Sequence, residues 1–221
     1  MKPLLRRRTQ RDHRVVHQVA SWCLGYPDDG LLECLPLLTA ALGEQDEHES
    51  VRAVRTVIAD LAAADPDELR HDYIDTFDLS RKQTLYLTYW SDGDTRRRGT
   101  ALTTIKQLYR DSGFLVDLNG ELPDHLPIVL EYCARADPER GRELLAEHRP
   151  ALESIRTALA ERGSRYEPIL AAICATVPVA RASARPADIP VESVGLEPYD
   201  PRLLPLSPTQ RVRPPRTSVL P

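Results

Sequence analysis

An all-α fold is predicted by three observations on this 221-residue sequence. Apolar residues recur at three-to-four spacing in nearly every segment. Aromatic residues amount to only 5%, against long Leu/Ala/Val stretches that suit packed helices better than aromatic-rich sheets. Compact helix-start signals punctuate the chain at Asp65-Pro66-Asp67-Glu68 and Asp137-Pro138-Glu139. The length suits one domain plus some unstructured chain.

The first amphipathic run is Val15, Val16, Val19, Ala20, Cys23 and Leu24, stopping at Gly25 before Pro27. Asp28 and Asp29 introduce a second, with Leu31, Leu32, Leu35, Leu38 and Leu42, ending at Gly43. Pro36 is expected to kink or split it, because proline removes a backbone donor and crowds the preceding turn. After the polar loop GEQDEHES, Val51, Val54, Ile58 and Leu61 mark a third helix. A fourth starts with Asp65 as N-cap, Pro66 at N1 and Glu68 at N3, and turns Tyr73, Ile74 and Phe77 inward. The stretch LSRKQTLYLTYWSDGD is ambiguous: Leu85, Leu87 and Tyr89 alternate as in a strand, while Tyr86 and Trp90 are spaced as on a helix. Its helical neighbours favour helix.

Asp94 or Thr95 is placed to cap the next helix, which carries Leu102, Ile105, Leu108 and Tyr109 and closes at Gly113. Asp137 caps a helix bearing Leu144 and Leu145; Leu152, Ile155 and Leu159 follow up to Gly163, and Ile169, Leu170 and Ile173 mark the last helix. From Thr176 onward ten prolines and no apolar period predict a disordered tail. The expected organisation is a basic arm over 1–14, a helical domain over 15–176 and a Pro-rich tail over 177–221.

Charge and cysteine usage exclude several classes. A net charge of −4 argues against general nucleic-acid affinity, so Arg6-Arg7-Arg8 reads as a solvated basic arm. No apolar stretch of export-signal type follows those arginines, and no run approaches the roughly 18 apolar residues of a membrane span. A soluble, cytoplasmic protein is expected. Cys23, Cys34, Cys133 and Cys174 lie far apart without a C-x-x-C, so four reduced and mostly buried thiols are expected.

Catalytic readings find little support. His13 and His17 lie one helical turn apart, but Arg14 stands where a zincin needs Glu, and no third ligand is evident. Asp92-Gly93-Asp94 reads as a turn into a capped helix, because it lacks the glycine and closing Glu of a calcium loop. There is no G-x-S-x-G, P-loop or dinucleotide fingerprint.

The stretch GELPDHLPIVLEY, Gly120 to Tyr132, carries the most local information. If Asp124 is an N-cap accepting from the Leu126 N–H, Pro127 falls at N3 and loses no bond, while Leu126, Val129, Leu130 and Cys133 form a buried stripe. Capping explains Asp124 and both prolines; it leaves Glu121 and His125 unexplained. Asp124 and Glu131, seven residues apart, are placed to project to similar sides. Glu131 either edges a binding groove or pairs with Arg135 at i,i+4.

These residues resemble the nitrate reductase molybdenum cofactor assembly chaperones, the NarJ family, within the wider TorD-like redox-enzyme maturation chaperones. The matching pieces are YIDTFDLSRKQTLYLTYWSDGDTRRRG (Tyr73 to Gly99) and GELPDHLPIVLEY, with weaker matches at WCLGYPDD and SRYEPIL; together they cover most of residues 15–176. The resemblance implies a single-domain helical bundle and a binding function without catalysis. The implied partner is the catalytic (alpha) subunit of respiratory nitrate reductase, held in the cytoplasm by its N-terminal segment while it awaits bis(molybdopterin guanine dinucleotide). The chaperone itself holds no cofactor stably. Glu121, Pro123, Asp124 and His125 are the implied client-binding positions, and the spacing argument adds Glu131. His125, beside two carboxylates, is placed to tune peptide affinity with pH. The rival readings are a sister chaperone for a dimethyl sulfoxide or trimethylamine N-oxide reductase, a helical nucleic-acid binder using Arg96-Arg97-Arg98, and a metal-dependent hydrolase.

Overall fold

The computed structural model describes residues 11–93 and 96–178. The basic arm up to residue 10, the proposed caps Asp94 and Thr95, and the Pro-rich tail beyond residue 178 lie outside the described residues. The chain divides into two units, Met1–Pro190 and Val191–Pro221, and every described residue belongs to the first.

Among the described residues the regular structure is helical, without a strand. Helix α1 (Arg14–Cys23) is followed by α2 (Asp29–Gly43), α3 (Glu49–Ala63) and α4 (Pro66–Tyr73), which runs on through a wider π-type turn at Ile74–Asp78. A 3₁₀ turn at Arg81–Gln83 leads to the short α5 (Leu87–Asp92) and then α6 (Arg96–Asp111). Helix α7 (Leu126–Glu131) also ends in a π-type turn, Tyr132–Ala136, before α8 (Pro138–Glu147), α9 (Arg149–Arg162) and α10 (Glu167–Thr176).

The capping chemistry read from the sequence forms at three helix starts. Asp28 accepts from the Leu31 N–H at 2.8 Å, Asp65 from those of Asp67 and Glu68, and Asp137 from that of Arg140 at 3.0 Å. Each satisfies donors that the first helical turn leaves unpaired. Pro36 does not split the helix, since α2 is continuous through it. The proline sits on the exposed face, where water can satisfy the carbonyl it frees, while Leu31, Leu35, Leu38 and Leu42 hold both halves of the helix to the core. The segment 81–92 is likewise not one helix. It is extended around Thr84–Tyr86 and α-helical only from Leu87, so the strand-like alternation holds at Leu85 and ends where Leu87 and Tyr89 enter α5.

The core joins the two ends of the domain. Helix α10 packs on α3 and α9, and α1 packs on α7, α3, α10 and α2, with Ala20, Val54, Leu152, Ile155, Ile169 and Ile173 almost wholly buried. The Arg149 guanidinium, at the start of α9, donates to the Cys174 carbonyl at 2.7 Å and to the Val177 carbonyl, so a cation closes the C-terminus of α10. Arg165 ties the α9–α10 turn to Asp72 and Asp60 at 3.0 and 2.9 Å.

His17 is 3% exposed, and its Nε2 lies 2.8 Å from the Thr176 hydroxyl. That hydroxyl donates to the Ile173 carbonyl, so it accepts from His17 Nε2–H. Burial lowers His17 to about 4. A histidine whose folded value is depressed stays neutral in the fold and is protonated first in the unfolded chain. Its stabilisation is therefore complete above about pH 6.5 and is lost as pH falls toward 4. Urea unfolding should show stability falling across that window, by on the order of 3 kcal/mol from this residue, and His17→Gln should flatten part of the slope.

Where α8 crosses the turn after α7, a Cβ on Gly141 would lie 2.5 Å from Cys133 Sγ and 2.8 Å from Cys133 Cα. Backbone must move to admit it. Gly141→Ala should therefore cost roughly 1–3 kcal/mol in urea unfolding, whereas Gly99→Ala, with open space around it in α6, should be neutral or stabilising by up to about 1 kcal/mol.

Candidate functional site

The segment between α6 and α7 builds the site from a tight turn. Asn119 (φ 47°) and Gly120 (φ 83°) take left-handed backbone conformations in succession, a geometry that asparagine and glycine tolerate best. The Asn119 N–H donates to Asp117 Oδ1 at 2.9 Å and the Glu121 N–H to the Leu118 carbonyl at 2.7 Å. This turn sets Glu121 facing α5, where its carboxylate accepts from the Tyr86 hydroxyl. Burial first, and the Glu121 carboxylate second, push the Tyr86 phenol well above its ordinary range. Pro123 is buried, and its carbonyl accepts from Tyr109 Oη–H at 2.7 Å.

Asp124 is not the cap of α7. It is fully buried, and its carboxylate accepts from the Thr88 N–H at 2.9 Å and the Thr88 hydroxyl at 2.6 Å. Thr88 is the second residue of α5, so Asp124 caps that helix from 36 residues away. Helix α7 is served in return: the Leu126 N–H donates to the Leu85 carbonyl at 2.9 Å, while the Leu87 N–H donates to the Asp124 carbonyl at 3.1 Å. His125 occupies the N-cap position of α7 and Pro127 its second residue, not the third. The two bonds make an isolated antiparallel bridge between Tyr86 and His125, whose rings sit 5.2 Å apart. Arg98 of α6 closes the junction, with Nε 3.2 Å from the Thr88 hydroxyl, a guanidinium nitrogen 3.9 Å from Asp124, and the rings of Tyr86 and Tyr89 within cation–π range.

Beside this junction a groove of about 520 Å³ runs between the end of α1 and the start of α7. Trp22, Tyr26, Leu118, Pro127 and Ile128 give it apolar walls, and Asp28, Glu121, His125 and Glu131 its polar rim. Trp22 and Tyr26 remain 42% and 45% exposed. A second cavity of about 460 Å³, bordered by Phe114, Leu115 and Val116, shares Asn119, Ile128 and Glu131 with the first. The Ser21 hydroxyl donates to the Pro127 carbonyl at 2.7 Å, fixing α1 to α7 along one side.

Of the five expected residues, Glu121, His125 and Glu131 line the groove, while Pro123 and Asp124 lie buried at the junction beneath it. Asp124 and Glu131 therefore do not share an edge. Glu131 both lines the groove and pairs with Arg135 at 2.7 Å. Burial outweighs the neighbouring Glu121 and Asp124 carboxylates at His125 and holds its imidazole below the ordinary value.

The sequence reading missed Trp22 and Tyr26 as groove walls and Thr88 and Arg98 as partners of Asp124. The strand-like alternation Leu85-Leu87 was the signal for the bridge. Among the described residues no group of side chains suits a metal ion, and no helix is long and apolar enough to cross a membrane.

The architecture is that of the helical redox-enzyme maturation proteins. A protein of Archaeoglobus fulgidus assigned to that class matches with a TM-score of 0.57 over 78% of this chain and 98% of its own, at 20% identity, which is a likeness of fold. The nitrate reductase delta subunit family matches residues 41–172, and this chain belongs to that family. It is 39% identical over 162 residues to the nitrate reductase-like protein NarX of Mycobacterium tuberculosis, covering 73% of this chain and 24% of that protein. The chain thus spans about a quarter of that relative's length. A Bacillus subtilis protein assigned as the nitrate reductase molybdenum cofactor assembly chaperone NarJ is 30% identical over 75% of this chain and 90% of its own. The NarJ chaperone of Escherichia coli K12 is 31% identical over 67% and 63% respectively. The Bacillus subtilis and Escherichia coli relatives are named as assembly chaperones, in keeping with the expectation of a non-enzyme.

Asp124→Ala should cost roughly 2–4 kcal/mol in urea unfolding, because it leaves the Thr88 N–H without its buried acceptor and the Arg98 guanidinium without its nearby countercharge. Asp124→Asn, which keeps an acceptor for Thr88, should lose clearly less.

Proposed function

We propose that this chain is a system-specific chaperone for respiratory nitrate reductase. In the cytoplasm its helical body, residues 15–176, holds the apo catalytic (alpha) subunit by an N-terminal segment and keeps it competent for insertion of bis(molybdopterin guanine dinucleotide). The chaperone retains no cofactor. The observation that carries this reading is a groove with apolar walls and a carboxylate rim on a member of the nitrate reductase delta subunit family.

The chemistry suits an amphipathic segment with basic residues. Its apolar side chains would cover Trp22, Tyr26 and Ile128, each buried large side chain contributing roughly 1–3 kcal/mol. Its cations would meet Asp28, Glu121 and Glu131, which gives selectivity and faster encounter more than raw affinity. Glu121, His125 and Glu131 are the contact residues in this reading. Pro123 and Asp124 are positioning residues that hold the groove floor.

Calorimetry with a synthetic peptide of the catalytic subunit's first residues tests the proposal. Binding is expected, and Glu121→Lys with Glu131→Lys should weaken it by about tenfold, or roughly 1.4 kcal/mol. No binding, together with normal molybdenum content in nitrate reductase produced without this chain, would overturn it.

Because burial keeps His125 neutral near pH 7, protonation on acidification adds a positive charge to the groove. Affinity for a basic peptide should be level above about pH 6.5 and fall below it. The same titration with His125→Ala should give a flatter profile; identical profiles sink this role.

A further inference from the structure

The basic arm is a strongly charged feature of the sequence that the proposed function leaves without a task. We propose that the arm, Met1 to Arg11, docks into the groove of its own chain and competes there with the client segment. This inference rests on the reading of the groove as a peptide site.

The arm and the groove are complementary in charge. The arm MKPLLRRRTQR carries Lys2, Arg6, Arg7, Arg8 and Arg11 and no acid, on a chain whose net charge is −4. The groove and the cavity beside it offer Asp28, Asp117, Glu121 and Glu131. The cation lining them among the described residues is Arg135, already bonded to Glu131. Pro3, Leu4 and Leu5 supply apolar side chains for Trp22 and Tyr26, which are nearly half exposed. The arm thus combines the same two chemistries that the groove asks of a client.

The arm is also long enough to reach the groove. The arm joins the body at the start of α1, where the Asp12 carboxylate accepts from the Arg14 N–H and guanidinium. Trp22 lies eight residues further along α1, about 12 Å at the helical rise. Ten extended residues span up to roughly 33 Å, more than enough to turn back and reach it. Arg14, Gln18 and Trp22, at i, i+4 and i+8, are each at least partly exposed, so an open stripe of α1 leads from the root of the arm to the groove.

The consequence is a built-in threshold. A tethered competitor acts at an effective concentration on the order of 1 mM, so an arm whose own dissociation constant is about 0.1 mM would weaken client binding about tenfold. A client segment that binds tightly displaces the arm, and a weak mimic does not.

Two full-length variants test this: Arg6→Glu with Arg7→Glu and Arg8→Glu, and the uncharged pair Leu4→Ser with Leu5→Ser. Calorimetry with the catalytic subunit's N-terminal peptide should show about tenfold tighter binding by both variants than by the unmodified chain. In a Trp90→Phe background, which leaves Trp22 as the reporter, acrylamide should quench fluorescence more strongly in both variants. A synthetic MKPLLRRRTQR peptide added to the Arg→Glu variant should reverse that gain in quenching. Equal client affinities and equal quenching in all three proteins overturn the arm proposal and leave the chaperone reading intact. If no protein binds the client peptide but quenching still differs, the arm proposal stands and the client reading of the groove fails.

Discussion

One buried carboxylate organises the junction of α5, α6 and α7. Asp124 has no exposure to solvent, a placement that costs several kcal/mol unless the charge is met by donors. Here one carboxylate oxygen accepts from the N–H and hydroxyl of Thr88 in α5 and stands 3.9 Å from the Arg98 guanidinium of α6, while the other has no hydrogen-bond partner among the described residues. The bond serves both partners. It gives α5, which has only six residues, the N-terminal acceptor that its own preceding residue Tyr86 does not provide. It also fixes the chain at the entry to α7, which brings Tyr86 against His125 and lets the Tyr86 hydroxyl hold Glu121. The position of two groove residues thus depends on a third that never reaches the groove.

Much of the fold was legible because its determinants are local. Asp28, Asp65 and Asp137 cap the helices that follow them, and the apolar stripes of α1, α3 and α9 face the core as their spacing demands. Asp124 misled because the local rule sees an acid before a helix, whereas its acceptor is used by a helix 36 residues earlier. The chemistry of capping was right and the helix was wrong. Only a tertiary contact decides between them. The Leu85–Leu87 alternation had the opposite problem, since a single bridge is too short to outweigh helical neighbours in a sequence window. Trp22 and Tyr26 were hidden for a third reason: spacing cannot say which aromatic side chains the fold leaves half uncovered.

The two sides of the groove differ in construction. Helices α1 and α7 are locked by the Ser21–Pro127 hydrogen bond and by the core beneath them. The facing side is irregular chain from Ser112 to Glu121, with Phe114 55% exposed and Leu115 wholly exposed, and it is shaped mainly by its own turn at Asn119 and Gly120. Segments with so few buried contacts open at little free-energy cost. A wall fixed by packing thus faces one held mainly by its own turn, a construction that fits the proposed binding of a peptide segment.

The close approach of Gly141 to Cys133 has a different consequence. The thiol is wholly buried, burial pushes its pKa well above the ordinary range, and the neighbouring backbone leaves no room for even one added carbon beside it. A thiolate is the form that alkylates or oxidises, so Cys133 is chemically silent for as long as α8 stays seated on the turn after α7. Cys34, only partly covered on α2, has no such shield. The pair makes an internal chemical clock, in which Cys34 reports ordinary access to solvent and Cys133 reacts only as fast as α8 lifts from that turn.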